Sequence, residues 1–423
     1  VTGANFVPKS GATNDVDISS LTLTGEGGAT YTLTSATDVE ITSATTFSVT
    51  LSGADLVEVE SLLNKDGTSA DSGTTYNLAA ADNWLAQAPA GTDIADTTSN
   101  GVTVSNYAAP AVTSATYDWS TGQLVVTGTN LVKLTGANND IDTSLLTFTG
   151  DDGATYTLTD TSDVELTSAT AFTVTLSAAD QLNIQGLLNK DGTTAGSGAT
   201  YNVALADNWS AGAPAGTDIA DAAGNGITVS NVAAPTVTSA AYDSDTGVLA
   251  ITGTNLFKEN GATNDVDIST LTLTGGTGNA TYTITSTSDV EITSATSFTV
   301  TLSGADKTNV DTLLDQVGTS SAGGSTYNIA AADNWLTGAN AATDIADATN
   351  AVTVSISPKI TSATYNATTG SLVVTGTNIQ AMAGASNDIT ANKFTLTGEG
   401  GATYTLTDTA NVERTSATAF TLT

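Results

Sequence analysis

Cysteine and histidine are both missing from this chain of 423 residues, and methionine occurs once, at Met382. Without thiols there is no disulfide framework and no thiolate metal site, and without imidazole the many Ser and Thr hydroxyls lack their usual activating base. Positive charge is nearly as scarce, since 9 Lys and Arg stand against 43 Asp and Glu for a formal charge of −34. That balance repels phosphate backbones and anionic bilayers, which excludes nucleic acid as a partner. No apolar run nears the roughly 20 residues of a membrane helix, and no direct membrane insertion is expected. Charged residues make up 12% of the chain against 39% hydrophobic ones, so it is not an acidic disordered tail either.

What the chain does have is repetition. The glycine of VVTGTNL recurs at Gly3, Gly128, Gly253 and Gly376, with spacings 128 − 3 = 125, 253 − 128 = 125 and 376 − 253 = 123. A period of that length is about one ordinary domain. Pro110, Pro235 and Pro358 each precede an alternating segment, where proline stiffens a linker without removing a ladder hydrogen bond. The repeats therefore read as 1–109, 110–234, 235–357 and 358–423. The first lacks the counterpart of Pro110 to Leu124 and the fourth stops at AFTLT, so the chain reads as a window of a longer array. Taken as a whole protomer, the same pattern invites strand donation between chains.

Within the second repeat VTSATYD, QLVVTGTNL, LLTFTG, ATYTLT, DVELT, AFTVTLS, TYNVAL and GITVSN alternate apolar and polar residues between Gly, Asn, Asp and Ser turns. This predicts short strands in an antiparallel sandwich. One segment departs from that rhythm, at residues 52–67, 177–192 and 303–318. Ser52, Ser177 and Ser303, each with Asp three residues on, have the spacing of a capping box; Val59, Leu62 and Leu63 have helical spacing, and Gly67 marks a stop. A short helix packed across one end or edge of each sandwich is expected.

The units resemble the tandem Ig-like modules of large bacterial surface and secreted proteins, among them giant type I-secreted adhesins. The resemblance rests on TSATYDWSTGQLVVTGTNL at 113–131 and GTDIADAAGNGITVSN at 216–231. It implies an all-β chain of tandem Ig-like β-sandwich modules, each with one short helix, arranged as beads on a string. It also implies a non-catalytic extracellular role at the bacterial cell surface, with linkers that often hold calcium. GDDGATYTL does not fit the calcium-binding nonapeptide, and NDVDIS lacks the glycine and distant glutamate of an EF-hand, so neither family is imported.

Two acidic sets are candidate Ca2+ ligands. ATNDVDIS and its copies place Asp15 and Asp17, Asp140 and Asp142, and Asp265 and Asp267 two residues apart, so that in extended chain both carboxylates point one way; Asn14 adds an amide oxygen. In the fourth copy Asp388 remains but Thr390 replaces the second acid. TDIAD supplies Asp93 and Asp96, Asp218 and Asp221, and Asp344 and Asp347, with Asp82, Asp207 or Asp333 upstream. For both sets the alternative is a turn in which Asn and Asp bond their own backbone. Trp84, Trp209 and Trp335 recur in ADNW and Trp119 stands alone; they read as structural plugs or as sugar-stacking rings. The acids of DVE, as at Asp163 and Glu165, read as charged protection of an edge strand rather than as a glycosidase pair.

The leading functional expectation is therefore a structural array, the stalk or fibre of a surface adhesin, stiffened by calcium. Its partners are the neighbouring repeats of the same chain. A self-assembling S-layer or filament subunit, in which identical chains associate, is the rival, and a carbohydrate-binding module the third reading.

Overall fold

The structure is a computed structural model and describes residues 1–11, 14–133, 139–166, 168–259, 261, 264–379 and 387–423. The opening residues of the NDVDIS stretches, 12–13, 137–138, 262–263 and 385–386, lie outside the described residues.

The first repeat carries β1 (Leu21–Thr24), β2 (Thr30–Thr32), β3 (Ile41–Ser43), β4 (Thr46–Phe47), helix α1 (Gly53–Leu62) and β5 (Asn77–Ala80). The second carries β6 (Ala111–Asp118), β7 (Gln123–Thr129), β8 (Leu146–Thr149), β9 (Thr155–Thr157), β10 (Ala171–Thr175), α2 (Ala178–Leu187), β11 (Asn202–Leu205) and β12 (Gly226–Ser230). The third follows with β13 (Thr236–Asp243), β14 (Val248–Thr254), β15 (Leu271–Gly275), β16 (Ala280–Thr283), β17 (Ser297–Thr301), α3 (Gly304–Leu313), β18 (Asn328–Ala331) and β19 (Asp347–Ser355). The fourth holds β20 (Lys359–Asn366), β21 (Ser371–Thr377), β22 (Thr395–Thr397), β23 (Thr403–Thr405), β24 (Arg414–Ser416) and β25 (Ala419–Leu422).

Strand order in the second repeat is β10-β7-β6-β12-β11-β8-β9, and the third repeats it as β17-β14-β13-β19-β18-β15-β16. This is an immunoglobulin-like order, with the helix as the crossover from β10 to β11. One expectation fails: β12 lies parallel to β6, and β19 parallel to β13, so the sandwich is not purely antiparallel. The first strand bonds β7 on one side and the last strand on the other, which joins the two halves edge to edge and leaves fewer open edges.

Alternation sets the core. Leu124 and Val126 on β7, Phe172 and Val174 on β10 and Ile227 and Val229 on β12 are buried, while Thr173 and Thr228 between them face out and Val125 is half-buried. The first repeat has its own core around Phe6, Val16, Ile18, Leu21 and Phe47, and the fourth around Leu372, Val374, Phe420 and Leu422. The chain groups into two compact units, one of Val1–Ala234, Phe257–Asp265 and Gly338–Thr343, the other of Pro235–Leu256, Val266–Thr337 and Asp344–Thr423.

The helix is shorter than its sequence segment. It closes at Leu63, whose N–H bonds the Val59 carbonyl, and Gly67 lies beyond it at φ +113, bridged to Val104; that glycine serves the following turn, not the helix stop. The helix ends against the β8 side of the sandwich because Gly150 has no side chain: a Cβ there would sit 2.3 Å from the Leu187 carbonyl oxygen.

A tyrosine corner precedes β11. The buried Tyr201 hydroxyl donates to the Lys190 carbonyl at 3.1 Å and accepts the Lys190 N–H at 3.1 Å, and Tyr76 and Tyr327 repeat the pattern at Lys65 and Gln316. Tyr201→Phe leaves both backbone groups unpaired and is expected to destabilise the second repeat by about 1–3 kcal/mol, read by urea unfolding followed with hydrogen exchange in that repeat.

Candidate functional site

The two acids of NDVDIS part company in the fold. Asp15, Asp140 and Asp265 are fully buried, whereas Asp17 is exposed. Asp15 accepts the Lys9 N–H at 2.7 Å on one oxygen and the Ile41 N–H at 3.1 Å on the other. Asp140 takes the Leu166 N–H at 2.8 Å, Asp265 the Glu259 N–H at 2.7 Å and Asp388 the Arg414 N–H at 3.1 Å. The second acid is an N-cap: Asp17, Asp142 and Asp267 each accept the N–H and hydroxyl of the serine two residues on, at the start of the 3-10 turns Ile18–Ser20, Thr143–Leu145 and Ile268–Thr270. The expectation that both carboxylates point one way assumes extended chain, and the chain bends at Asp15, Asp140 and Asp265. Thr390 caps its turn without a side-chain hydrogen bond.

The DVE acids belong to the same assembly. Asp38, Asp163 and Asp289 each accept the first N–H of the adjoining 3-10 turn at 3.0 Å, and in the fourth repeat Asn411 does so at 2.9 Å. DVE is therefore a turn clamp rather than edge-strand protection, and it forms only an isolated bridge, as Val164 does with Ile141. The glutamates flank the buried aspartates. Hydrogen bonding to Asp15, then burial, raises the Glu40 carboxyl above its ordinary value, and Asp140 and Asp388 raise Glu165 and Glu413 in the same way. Asp15 itself is lowered, first by the Lys9 N–H and then by the Ile41 N–H.

In TDIAD the acids also take separate donors. Asp93, Asp218 and Asp344 each accept the N–H two residues on, at 3.0, 3.1 and 3.0 Å. Asp221 accepts the Val112 N–H at 2.9 Å and the Asn225 amide at 3.0 Å, and Asp347 does the same with Val237 and Asn350, tying the module's closing segment to its first strand. Asp96 keeps the backbone bridge to Ala80 that Asp221 makes to Leu205 and Asp347 to Ala331. Upstream, Asp82, Asp207 and Asp333 accept the N–H of Ile94, Ile219 and Ile345. Among the described residues no three acidic side chains converge as a metal would need.

Two of the three recurrent tryptophans are internal, and Trp84 is half-buried. Trp209 and Trp335 are fully buried, with indole N–H groups bonded to the Ile219 and Ile345 carbonyls, and Trp84 makes the same bond to Ile94. Trp119 is 1% exposed and bonds the Gln185 carbonyl. None of the three fully buried rings is offered to a sugar.

The residue that sequence reasoning placed wrongly is the helix aspartate. Ser177 does cap Asp180 N, but Ser52 and Ser303 make no such bond, and the acid does not fold back on the cap. Asp180 is fully buried and accepts five hydrogen bonds, from the Tyr156 hydroxyl (2.8 Å), the N–H and hydroxyl of Thr159 (3.0 and 3.1 Å), the Asp160 N–H (3.0 Å) and the Thr161 hydroxyl (2.6 Å). Asp55 and Asp306 repeat this with Tyr31 and Tyr282 and the turns at 34–36 and 285–287. Burial alone raises these carboxyls, yet the donated hydrogen bonds outweigh it and all three lie below the ordinary range. The available signal was the recurrence of TYTLT or TYTIT about twenty residues before each aspartate.

No family model and no curated protein matches the chain. Among solved structures, a marsupial T cell receptor shares 12% identity over 64% of this chain and 80% of its own, at a TM-score of 0.15. A Dscam structure concerned with isoform specificity shares 10% over 61% of this chain, which spans 56% of its length, also at 0.15. Similarity of that order carries no argument.

Asp180→Asn puts an amide N–H₂ among donors and is expected to destabilise the second repeat by about 2 kcal/mol at pH 7. Because the folded carboxyl lies below its unfolded value of about 3.9, its stabilisation is complete above about pH 4 and is lost as pH falls through the folded value. Urea unfolding at pH 7 and pH 3 should show the variant's deficit shrinking at the lower pH; an unchanged deficit would refute the assignment.

Proposed function

We propose that the chain is a non-catalytic extracellular structural array, the stalk or fibre region of a bacterial surface adhesin. One observation supports this most. The acids and tryptophans that recur from repeat to repeat are engaged on backbone groups inside their own repeat, as Asp180, Asp221 and Trp209 are in the second. Modules that complete their own cores and turns in this way are the units from which reach is built by repetition.

Calcium belongs to this reading as a stabiliser at the exposed TDIAD turns, where Asp93 and its upstream neighbour Asp82 face solvent. Extracellular modules need an affinity of only about 10⁻⁴ to 10⁻³ M to be filled outside a cell. With a charge of about −10 per repeat, −34 × 125/423, a bound cation also relieves self-repulsion.

Electron micrographs and small-angle scattering of the purified chain are expected to show separate extended particles at every concentration. Ordered sheets or fibres would instead favour the lattice or filament subunit. EDTA is expected to lower the thermal midpoint, and a midpoint that stays put on chelation removes calcium from the reading.

A further inference from the structure

The helix has a second use, visible in the compact unit that holds Val1–Ala234, called unit 1 against unit 2 for the other. Phe257 and Lys258 lie on α2: the Lys258 N–H bonds the Leu182 carbonyl at 3.0 Å, and Phe257 meets Trp119 edge to face at 6.1 Å between ring centroids. Beside them the Asn189 amide donates to the Gly338 carbonyl at 3.1 Å, in a buried bond. The approach depends on Gly186. A Cβ at that position would fall 1.8 Å from the Lys258 carbonyl oxygen, closer than any real contact.

The same seat recurs one repeat earlier, 125 residues back, in a looser form. Lys133, the counterpart of Lys258, reaches Glu58 on α1 at 3.2 Å, and the Ala215 N–H bonds Asp71 at 3.1 Å. Ser61 stands where Gly186 stands, nine residues after the cap serine, and a cavity of about 170 Å³ remains between Glu60, Leu63, Asn130 and Val132. In the third repeat that position is Thr312, exposed on α3 with its hydroxyl turned back to the Thr308 carbonyl. The link to the fourth repeat found among the described residues of unit 2 is of another kind: Lys359 pairs with Asp245 at 2.7 Å, and the Ser357 N–H bonds the same carboxylate, held at about 2 by these two partners.

We propose that this helix face is a docking seat for the residues that directly follow the TGTN strand of the next repeat, Val132–Lys133 and Phe257–Lys258, and that residue 61, 186 or 312 sets how tightly they seat. Glycine gives a backbone-close joint, serine a joint with a cavity, and threonine blocks the close form. The partner is another copy of the same repeat, so the contact is head-to-tail and propagates along the chain rather than closing on itself. The array reading supplies the partner's identity, but hydrogen exchange reads the joint alone; lattice formation in micrographs would overturn the array reading and leave the exchange result standing.

Hydrogen exchange on the full chain tests it. Gly186→Thr is expected to speed exchange at least tenfold in 257–259 and 178–188 while β7 and β12 keep their protection; threonine is a better helix former than glycine, so the helix itself is not weakened. Phe257→Ala approaches the joint from the loop side and should give the same local loss, which decides the matter if Gly186→Thr disturbs its whole repeat. Ser61→Gly should slow exchange in 58–63 and 131–133. Unchanged exchange at the joint in both Gly186→Thr and Phe257→Ala overturns the proposal.

Discussion

The fold of each complete repeat depends on one buried carboxylate. Asp180 stands fully buried at the start of α2 and gathers two backbone N–H groups and three hydroxyls from the β9 strand and the turn after it. A turn that leaves a strand without a partner strand has N–H groups to satisfy, and a carboxylate supplies acceptors on both oxygens. By fixing that turn from the helix side, the aspartate ties the crossover to the sheet it crosses. Removing it would free the helix and strand the donors together, which is why a residue of unfavourable burial is kept at 55, 180 and 306.

This also accounts for a composition rich in acids and poor in cations. Six aspartates are fully buried among the described residues. Asp15, Asp140 and Asp265 accept backbone N–H groups, and Asp55, Asp180 and Asp306 accept backbone N–H and hydroxyl groups together. Hydroxyl-bearing neighbours are part of the arrangement, as Thr159 and Thr161 are for Asp180. The substitutions between repeats follow acceptors rather than charge. Asn411 replaces Asp38, Asp163 and Asp289 and accepts the same N–H, while Thr390 replaces an N-cap that its turn forms without. A site selected for cation binding would lose function at both changes; a hydrogen-bonding turn loses only its exposed cap bonds at one of them.

Strands and their faces were legible in the sequence because burial alternates with period two: Gln123–Thr129 and Ala171–Thr175 follow their apolar pattern to within two residues. The parallel pairing of β6 with β12 was not, since it joins residues more than a hundred positions apart and leaves no local mark. Local rules misled in three places. Ser-x-x-Asp matched a capping box, but tertiary donors drew the carboxylate away from the cap; Gly67 matched a helix stop, but the helix had closed at Leu63 on its own backbone. DVE matched a strand, but its aspartate turned to clamp a 3-10 turn. In each, the residue type was read correctly as polar or flexible and its partner lay outside the window.

The helix, the element that least resembles its surroundings in sequence, concentrates both kinds of cohesion. Asp180 and Gly186 are six residues apart, about 240° around a helix of 3.6 residues per turn, so the tie to the repeat's own sheet and the seat for the next loop occupy different faces. The aspartate recurs unchanged at 55, 180 and 306, whereas the seat position varies as Ser61, Gly186 and Thr312. The tie to the repeat's own sheet is thus kept in these three repeats while the closeness of the joints is free to change by single side chains. An array built in this way can place stiff and compliant links in chosen order without altering the module that carries them.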